Sequence, residues 1–326
     1  MSKRPVWELA RETKVKAEEE INPEYGCLPE DRPLNDYIRF GMVVIDKTAG
    51  PTSHEVAAWI KKLLELDKVG HGGTLDPKVT GILPTMLQDS TKAVQALLDA
   101  GKEYVTVMRT HEDVSEEKVV KMLQHFTGEL YQRPPLRSAV SRRLRTRYIY
   151  DIEYLEGEGR NWLFKVACQS GTYIRKLCFD VGEVLGCGAH MQELRRSRSG
   201  PFTEDDLYTL YDLSEAVDMR QEGDDSLLRK IVRPFEDAMT LLPKIVIRDT
   251  AVEAICTGAQ LAIPGILNYE TGINEGDLVG VMTQKGEAVA LMRADMGSGK
   301  IQAEDNGIVA TTVRVLLPNG VYPRSW

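Results

Sequence analysis

The chain has 326 residues, of which 42% are hydrophobic, so it is long enough for two domains or for one large domain with an appendage. Its first twenty residues are charged throughout, and no apolar run approaches the roughly 20 residues that a membrane-spanning helix needs, so we expect a cytoplasmic protein with no membrane partner. The five cysteines are scattered and include no Cys-x-x-Cys pair, which argues against a disulfide framework and against a zinc site.

Strand and helix signals are interleaved through the first 240 residues. A β-branched run over 40–46 predicts a strand, and Thr52 with Glu55 has the capping-box spacing that opens a helix from about 53 to 66. The later predicted elements are a helix over 91–100, a strand over 102–108, a helix between Ser115 and Gly128, a hairpin of 148–155 with 162–168, and a helix from Thr172. This order favours a mixed α/β domain rather than a doubly wound fold.

The character of the sequence changes near Pro243. Short strands predicted over 244–248, 277–283, 287–293 and 308–317 alternate with glycines, as in a small β-barrel or sandwich of about 80 residues. We therefore predict an α+β protein with three parts. They are an N-terminal extension over 1–37, a mixed α/β domain with a central, largely antiparallel sheet over 38–242, and a small β domain over 243–326.

The charge is unevenly distributed along the chain. Its formal net charge is −8, which counts against a nucleic-acid partner, yet the stretch from Leu130 to Tyr150 contains six arginines and no acidic residue. A second basic cluster covers 195–198. The arginine-rich stretch is compatible with a solvated hairpin face, but its lack of compensating acid favours contacts with phosphates.

A loop rich in glycine covers residues 70–81. It contains four glycines, one proline and a single acidic residue, Asp76, which precedes Pro77 and is therefore biased towards an extended backbone. A surface turn with a capping aspartate is the ordinary interpretation of such a segment. The alternative is a shaped loop that presents one carboxylate for chemistry.

Several motifs, in one order along the chain, resemble the TruB-type pseudouridine synthases. They lie in residues 47–56, 70–84, 102–104 and 171–175. Residues 133–140 and 188–196 are similar to the dyskerin-like branch of archaea and eukaryotes, and the C-terminal part is similar to the PUA domain that accompanies this branch. One departure is Thr48-Ala49-Gly50, where the family usually has Pro-Pro-Gly, so we expect a less rigid turn there.

The resemblance implies isomerisation of uridine to pseudouridine in RNA, without a cofactor or a metal. Asp76 matches the family's nucleophile, and Arg175 matches the arginine that pairs with it and keeps it ionised. Tyr104 matches the tyrosine that stacks on the flipped base and has been proposed to transfer a proton, while Tyr173 and Leu194 would line the same pocket. Whether the carboxylate attacks the base or the ribose C1′ stays open.

The resemblance also places Lys47 and His71 near the flipped nucleotide or the loop that holds it, and His71 equally suits a buttressing hydrogen bond. The residues that we predict to bind RNA are Arg133, Arg142, Arg143, Arg145 and Arg147. For the dyskerin-like branch, the implied partners are an H/ACA guide RNA, a substrate rRNA or tRNA, and small H/ACA partner proteins. The PUA domain would grip the ACA end of the guide, with the N-terminal extension packed on it.

Three other functions compete with this interpretation. A stand-alone enzyme acting on the T-loop of tRNA would use the same chemistry, and a non-catalytic RNA scaffold would not need the four matched residues Asp76, Tyr104, Tyr173 and Arg175. A glycosidase-like hydrolase normally recruits a second carboxylate, which the loop does not supply. A P-loop is excluded because the glycines are not followed by Gly-Lys-Ser or Gly-Lys-Thr.

Overall fold

The computed structural model describes residues 4–134 and 143–324. In these ranges the helices are α1 (Leu34–Arg39), α2 (Ser53–Leu63), α3 (Val94–Leu98), α4 (Glu116–His125), α5 (Ile174–Leu185), α6 (Leu210–Gln221), α7 (Ser226–Ile231), α8 (Asp249–Cys256) and α9 (Ser298–Ala303). None of these helices is both long and apolar enough to cross a bilayer.

Strands occur on both sides of residue 240 in the chain. Those before residue 240 are β1 (Thr13–Val15), β2 (Gly41–Lys47), β3 (Val69–His71), β4 (Thr80–Leu87), β5 (Lys102–Thr110), β6 (Gly128–Gln132), β7 (Arg145–Glu158), β8 (Asn161–Cys168), β9 (Ala189–Ser199), β10 (Phe202–Thr203) and β11 (Arg233–Pro234). Those after it are β12 (Lys244–Ile247), β13 (Leu261–Ala262), β14 (Ile266–Glu270), β15 (Leu278–Met282), β16 (Ala288–Ala294) and β17 (Ile308–Val315).

The larger sheet has ten strands within the described residues. Its order is β11-β2-β4-β9-β5-β8-β7-β6, with β3 added on β4 and β10 added on β9. Every pairing is antiparallel except that of β4 with β9, which is parallel and brings Gly81 opposite Arg196. The prediction of a largely antiparallel central sheet with flanking helices is confirmed.

Two apolar clusters anchor the helices to this sheet. In one cluster, α2, α6 and α7 pack on β2 and β4 through residues such as Val56, Ile60 and Leu213. In the other, α4 and α5 pack on β5, β7, β8 and β9, and α5 contributes Leu177 and Val181. Strand β8 alternates between buried and half-buried positions, as expected for a strand with one face on a core. The clusters thereby fix the starts of α2 and α5, where the candidate site lies.

The smaller sheet contains seven strands in the described part of the chain, in the order β1-β14-β12-β15-β16-β17-β13. Its core is continuous with residues of α8, such as Val252 and Ile255. The predicted strand-rich character after residue 243 is confirmed. Because β1 is an edge strand of this sheet, part of the N-terminal segment lies on the C-terminal domain.

The two sheets share a hydrophobic cluster. Met42 and Met86 of the larger sheet pack in the same group as Met282 and Leu291 of the smaller one. The N-terminal segment bridges both, since Trp7 packs edge-on against Tyr150 of β7 while β1 pairs with β14. The proposed division at residues 37 and 242 stays a prediction, and the contacts of Trp7 extend the predicted packing of residues 1–37 to the larger domain.

Two predicted helices differ from the observed ones. The capping box of Thr52 and Glu55 opens α2 as expected, but the helix ends at Leu63 because Glu65 takes a positive φ of 53° and Leu66 N–H bonds to the Lys61 carbonyl. That hydrogen bond is typical of a Schellman ending, which needs no glycine here. The predicted helix over 91–100 is a 3₁₀ turn over Gln88–Ala93 followed by the single-turn α3.

Candidate active site

The loop that carries Asp76 is fixed on its N-terminal side by Ser53. The hydroxyl of this buried residue, the first of α2, accepts a hydrogen bond from Leu75 N–H at 2.8 Å and donates one to the Leu75 carbonyl at 3.2 Å. The side chain of Leu75 is buried, so the residue before Asp76 is held by both its backbone and its side chain. The start of a well-capped helix therefore sets where the carboxylate can lie.

On the other side of Asp76, Lys47 holds the loop. Its ammonium donates to the carbonyls of Thr48, Pro77 and Val79 at 2.9, 3.1 and 2.8 Å, and only 1% of the residue is exposed. Burial, followed by the charge of Arg196, lowers the pKa of this lysine. Lys47 thus lies beneath the loop, and the geometry favours the loop-holding alternative over a direct contact with a nucleotide.

The turn at Thr48-Ala49-Gly50 joins the same arrangement. Gly50 has a φ of 115° and donates its N–H to the Pro77 carbonyl at 2.9 Å. Only glycine adopts such a φ without strain. Gly50 is therefore needed in this turn even though Thr48 and Ala49 stand where the family usually has two prolines.

Asp76 forms an ion pair with Arg175, which is the second residue of α5. The two side chains are 54% and 47% exposed, so the pair lies at the surface of the protein rather than in its core. A guanidinium can hold one carboxylate oxygen by a charge-assisted hydrogen bond and leave the other available. The structure thus brings together two residues that are 99 positions apart in the sequence.

The start of α5 is held by Gln132, which the sequence reasoning missed. Tyr173 is the N-cap of this helix but provides no side-chain cap. Instead, Tyr173 N–H donates to Gln132 Oε1 at 2.9 Å, and Gln132 Nε2 donates to the Tyr173 carbonyl at 3.1 Å. Gln132 ends β6 and is 2% exposed, so a buried amide from another strand sets the position of Tyr173 and, two residues later, of Arg175.

A second missed residue is Arg196, which sequence analysis placed in a general basic cluster. It is 1% exposed and donates to the carbonyls of Ile82 at 2.7 Å and Gly73 at 3.2 Å. Gly81 has a φ of 98°, and a Cβ there would overlap the Arg196 backbone, so this glycine allows β4 and β9 to approach. Arg196 therefore anchors the glycine-rich loop from inside the sheet.

Tyr104 lies on β5 directly opposite Arg196 of β9, so the two side chains share one face of the sheet. Burial raises the pKa of the Tyr104 phenol, and the Arg196 charge opposes that shift. Leu194 is opposite Thr106 on the same pair of strands, and both Leu194 and Tyr104 pack on the core beneath α5. Tyr104, Leu194 and Arg175 thus converge on one region of the sheet and its helix.

His71 ends β3 at the start of the loop and meets His54 of α2 edge to face, with ring centroids 5.0 Å apart. Its Nδ1 is buried and has no hydrogen-bond partner in the described part of the protein. Burial, and then the charges of His54 and Arg196, lower the pKa of His71, which favours the neutral ring. This position suits either of the two roles left open for His71.

The predicted RNA-binding arginines differ in their exposure and in their contacts. Arg133 and Arg143 are exposed, and Arg145 on β7 pairs in register with Gln132. Arg147 is half-buried, with its guanidinium over Gly171, so it also contacts the turn that leads to Tyr173. Arg142 lies outside the described residues, as do residues 135–140 of the matched motif.

Comparison with known families divides the chain into four matched segments. Residues 61–174 match "TruB family pseudouridylate synthase (N terminal domain)", and residues 175–240 match "tRNA pseudouridylate synthase B C-terminal domain". Residues 243–316 match the PUA domain, and residues 6–57 match the DKCLD (NUC011) domain. The TruB and PUA segments occur in the order that the sequence motifs predicted.

Relatives match almost the whole chain. A probable tRNA pseudouridine synthase B of Methanopyrus kandleri is 55% identical over 317 residues, which cover 97% of this chain and 94% of that protein. The protein of the same description from Pyrococcus furiosus is 52% identical over 322 residues, which cover 98% and 95%.

Solved structures agree with these relatives. A chain of a Cbf5-Nop10-Gar1 complex is 51% identical, with a TM-score of 0.95 over 98% of both chains. A chain of an H/ACA RNP bound to a substrate RNA containing 2′-deoxyuridine is 48% identical, with a TM-score of 0.93 over 99% of this chain and 100% of that one. These matches confirm the resemblance seen in the motifs, and the chain belongs to the TruB family of pseudouridylate synthases.

Proposed function

We propose that this chain isomerises specific uridines to pseudouridine in RNA, as the catalytic subunit of an H/ACA guide RNA-protein complex. The observation that carries the proposal is the Asp76–Arg175 ion pair at the open end of a loop whose backbone is fixed on both sides. The near-complete match to chains solved within H/ACA assemblies supports the same function.

Each residue of the candidate site has its own role in the proposed reaction. Asp76 acts as the nucleophile that assists cleavage of the C–N glycosidic bond, and Arg175 orients its carboxylate. The ring of Tyr104 stacks on the flipped base, which offsets part of the few kcal/mol that unstacking costs. Tyr173 and Leu194 line the pocket in which the freed uracil turns, Lys47 supports the loop, and His71 lies at the start of the loop.

RNA binding would use the arginine-rich stretch and the PUA domain. Arg133 and Arg143 are exposed residues of that stretch, and Arg145 and Arg147 follow Arg143 on β7. We propose that they neutralise phosphates of the substrate or the guide. The partners would be a guide RNA and small proteins of the kind named in the solved assemblies, Nop10 and Gar1, and the site of action would be the cytoplasm.

A second candidate function is stand-alone modification of the T-loop of tRNA, which the names of the curated relatives favour. The test is an assay of pseudouridine in tRNA and in an rRNA fragment, each with and without a matching guide RNA and the small partner proteins. Guide-dependent modification of rRNA supports the complex. Modification of tRNA alone, independent of any guide, would replace the first proposal by the second.

A further inference from the structure

Arg196 is a buried cation that has no acidic partner in the parts of the chain that the structure describes. Its neighbour Arg195 differs, because it is more than a third exposed and pairs with Asp46 and Glu204 at 2.9 and 2.5 Å. A buried charge is costly unless it is hydrogen-bonded or meets an opposite charge. Hydrogen bonds to the Ile82 and Gly73 carbonyls offset part of the cost of burying Arg196. The residue paired with Arg196 on the neighbouring strand β5 is Tyr104.

The contacts of Arg196 reach both parts of the candidate chemistry. Its guanidinium holds Gly73, which is three residues before Asp76, and its strand position places it across from Tyr104. A guanidinium has five N–H donors in a fixed plane, so it can hold loop carbonyls and still face a phenol oxygen. One side chain therefore ties the nucleophile loop to the residue proposed for proton transfer.

Arg196 makes the region around it electropositive. Its charge lowers the pKa of Lys47, of His71 and of Lys102, whose ammonium donates to the Leu97 and Ala100 carbonyls. Burial is the larger cause in each case. The other groups that face this cluster are His54 of α2, Asp99 next to α3, and Cys168 of β8, whose thiol pKa burial raises to about 12.

We propose that Arg196 is a positioning residue for the isomerisation: it fixes the Asp76 loop through Gly73 and supplies positive charge to the Tyr104 oxygen when Tyr104 removes the C5 proton. This inference rests on the proposed function. It assigns to one buried arginine the electrostatic support that a phenolate needs in a site of low polarity.

Tyr104 removes the C5 proton after the new bond between uracil and ribose has formed. Once C5 is joined to C1′, the C5–H bond breaks and its electron pair forms the C5–C6 double bond. The π electrons of C6–N1 move to N1, which takes a proton from solvent, and the Tyr104 phenolate becomes a phenol. The phenol returns its proton to solvent before the next turnover. A cation beside the oxygen stabilises the phenolate before transfer, and this is the contribution we assign to Arg196.

The test compares Arg196→Met, Arg196→Lys and the control Arg195→Met in the full-length chain, on whichever RNA the wild-type protein modifies. The readouts are the single-turnover rate of pseudouridine formation from about pH 8 to about pH 10, above the pKa of about 7 to which burial lowers Lys102, and the isotope effect of deuterium at C5. Thermal unfolding and RNA affinity are measured in parallel. A wild-type chain that forms no pseudouridine would refute the proposed function itself.

We expect Arg196→Met to slow the reaction at least about 100-fold, to move its rise with pH upward, and to show a primary isotope effect, because proton removal becomes the slow step. Arg196→Lys should keep the wild-type pH profile with a rate about 10-fold lower, since lysine retains the charge but not the planar fork. A uniform loss at every pH without an isotope effect would overturn the proposal. If Arg196→Met does not fold, Arg196→Lys tests the proposal. A wild-type rate in Arg196→Lys, or a loss of rate that Arg195→Met reproduces, would overturn the proposal equally.

Discussion

Gln132 holds Tyr173 by both of its main-chain polar groups, at 2.9 Å to the N–H and 3.1 Å to the carbonyl. The amide comes from the end of β6, 41 residues earlier, and reaches a helix start that has no side-chain cap of its own. The strand that leads into the arginine-rich stretch is therefore bonded directly to the turn that carries Tyr173 and Arg175.

Replacing Gln132 by Met should impair catalysis more than RNA binding. Methionine fills a similar volume but loses both hydrogen bonds, and we expect the free energy of unfolding to fall by about 2 kcal/mol. The single-turnover rate should fall about 10-fold or more because Arg175 loses its fixed position, while the Kd for RNA stays within about twofold. The control is Gln124→Met on the exposed side of α4. Equal rates in the two variants would show that the clamp does not position the site.

Lys102 should give the protein a characteristic dependence of stability on pH. Its ammonium is buried, and burial, with the charge of Arg196, lowers its pKa to about 7 in the folded state. The unfolded chain, where lysine titrates near about 10.4, binds more protons between these values, so the stability of the native state should rise with pH across this window. Denaturant unfolding of wild type and Lys102→Met at several pH values isolates this contribution. A difference in stability that does not change with pH would contradict it.

The buried ion pair of Arg32 and Glu236 should connect the N-terminal segment, the end of the larger domain and the smaller sheet. Arg32 Nη2 lies 2.6 Å from Glu236 Oε1, and the same carboxylate accepts a hydrogen bond from Ala288 N–H at 3.2 Å. Arg32→Met leaves the Glu236 carboxylate buried without its partner, which typically costs about 3–5 kcal/mol. Calorimetry should show a large drop in unfolding temperature for Arg32→Met. The double variant that combines Arg32→Met with Glu236→Gln should recover part of that unfolding temperature. No recovery in the double variant would argue against an uncompensated charge as the cause.

Arg133 and Arg143 should contribute to RNA affinity in a salt-dependent manner. Both residues are exposed, and replacing them by Gln removes their positive charge. We expect weaker binding at low salt and a plot of log K against log salt whose slope is smaller by about 1 for each phosphate that the variant no longer neutralises. Filter binding over a range of salt concentrations measures this. The exposed Arg109 of β5 serves as the control for a loss of charge alone, and an identical slope in all variants would identify the stretch as a solvated face.

The sequence predicted those parts of the fold that depend on local chemistry. The capping box at Thr52, the hairpin of β7 with β8 and the apolar face of α5 all follow from residues close together in the chain, and the structure contains them. The motifs that resemble the family also led to the pair of Asp76 and Arg175. The N-terminal contacts of Trp7 and the left-handed ending of α2 at Glu65 have no comparable local signal.

The residues that sequence reasoning missed depend on register between distant strands. Arg195 and Arg196 are adjacent and chemically identical, yet the pairing of β9 with β4 and β5 sends one into ion pairs at the surface and buries the other under the loop. Since a shift of one residue exchanges the two faces of a strand, composition cannot tell them apart. Gln132 belongs to the same class, because its partner Tyr173 is defined only once β6 and α5 are packed together.

Asp76 is the residue that we propose as the nucleophile of a pseudouridine synthase. Asp76→Asn retains the size of the side chain and a hydrogen-bond acceptor for Arg175 but removes the carboxylate. In a reaction with the RNA that the wild-type chain modifies, mass spectrometry of the digested product should find no pseudouridine with Asp76→Asn, while the Kd for RNA is unchanged. Sustained formation of pseudouridine by this variant would contradict the account.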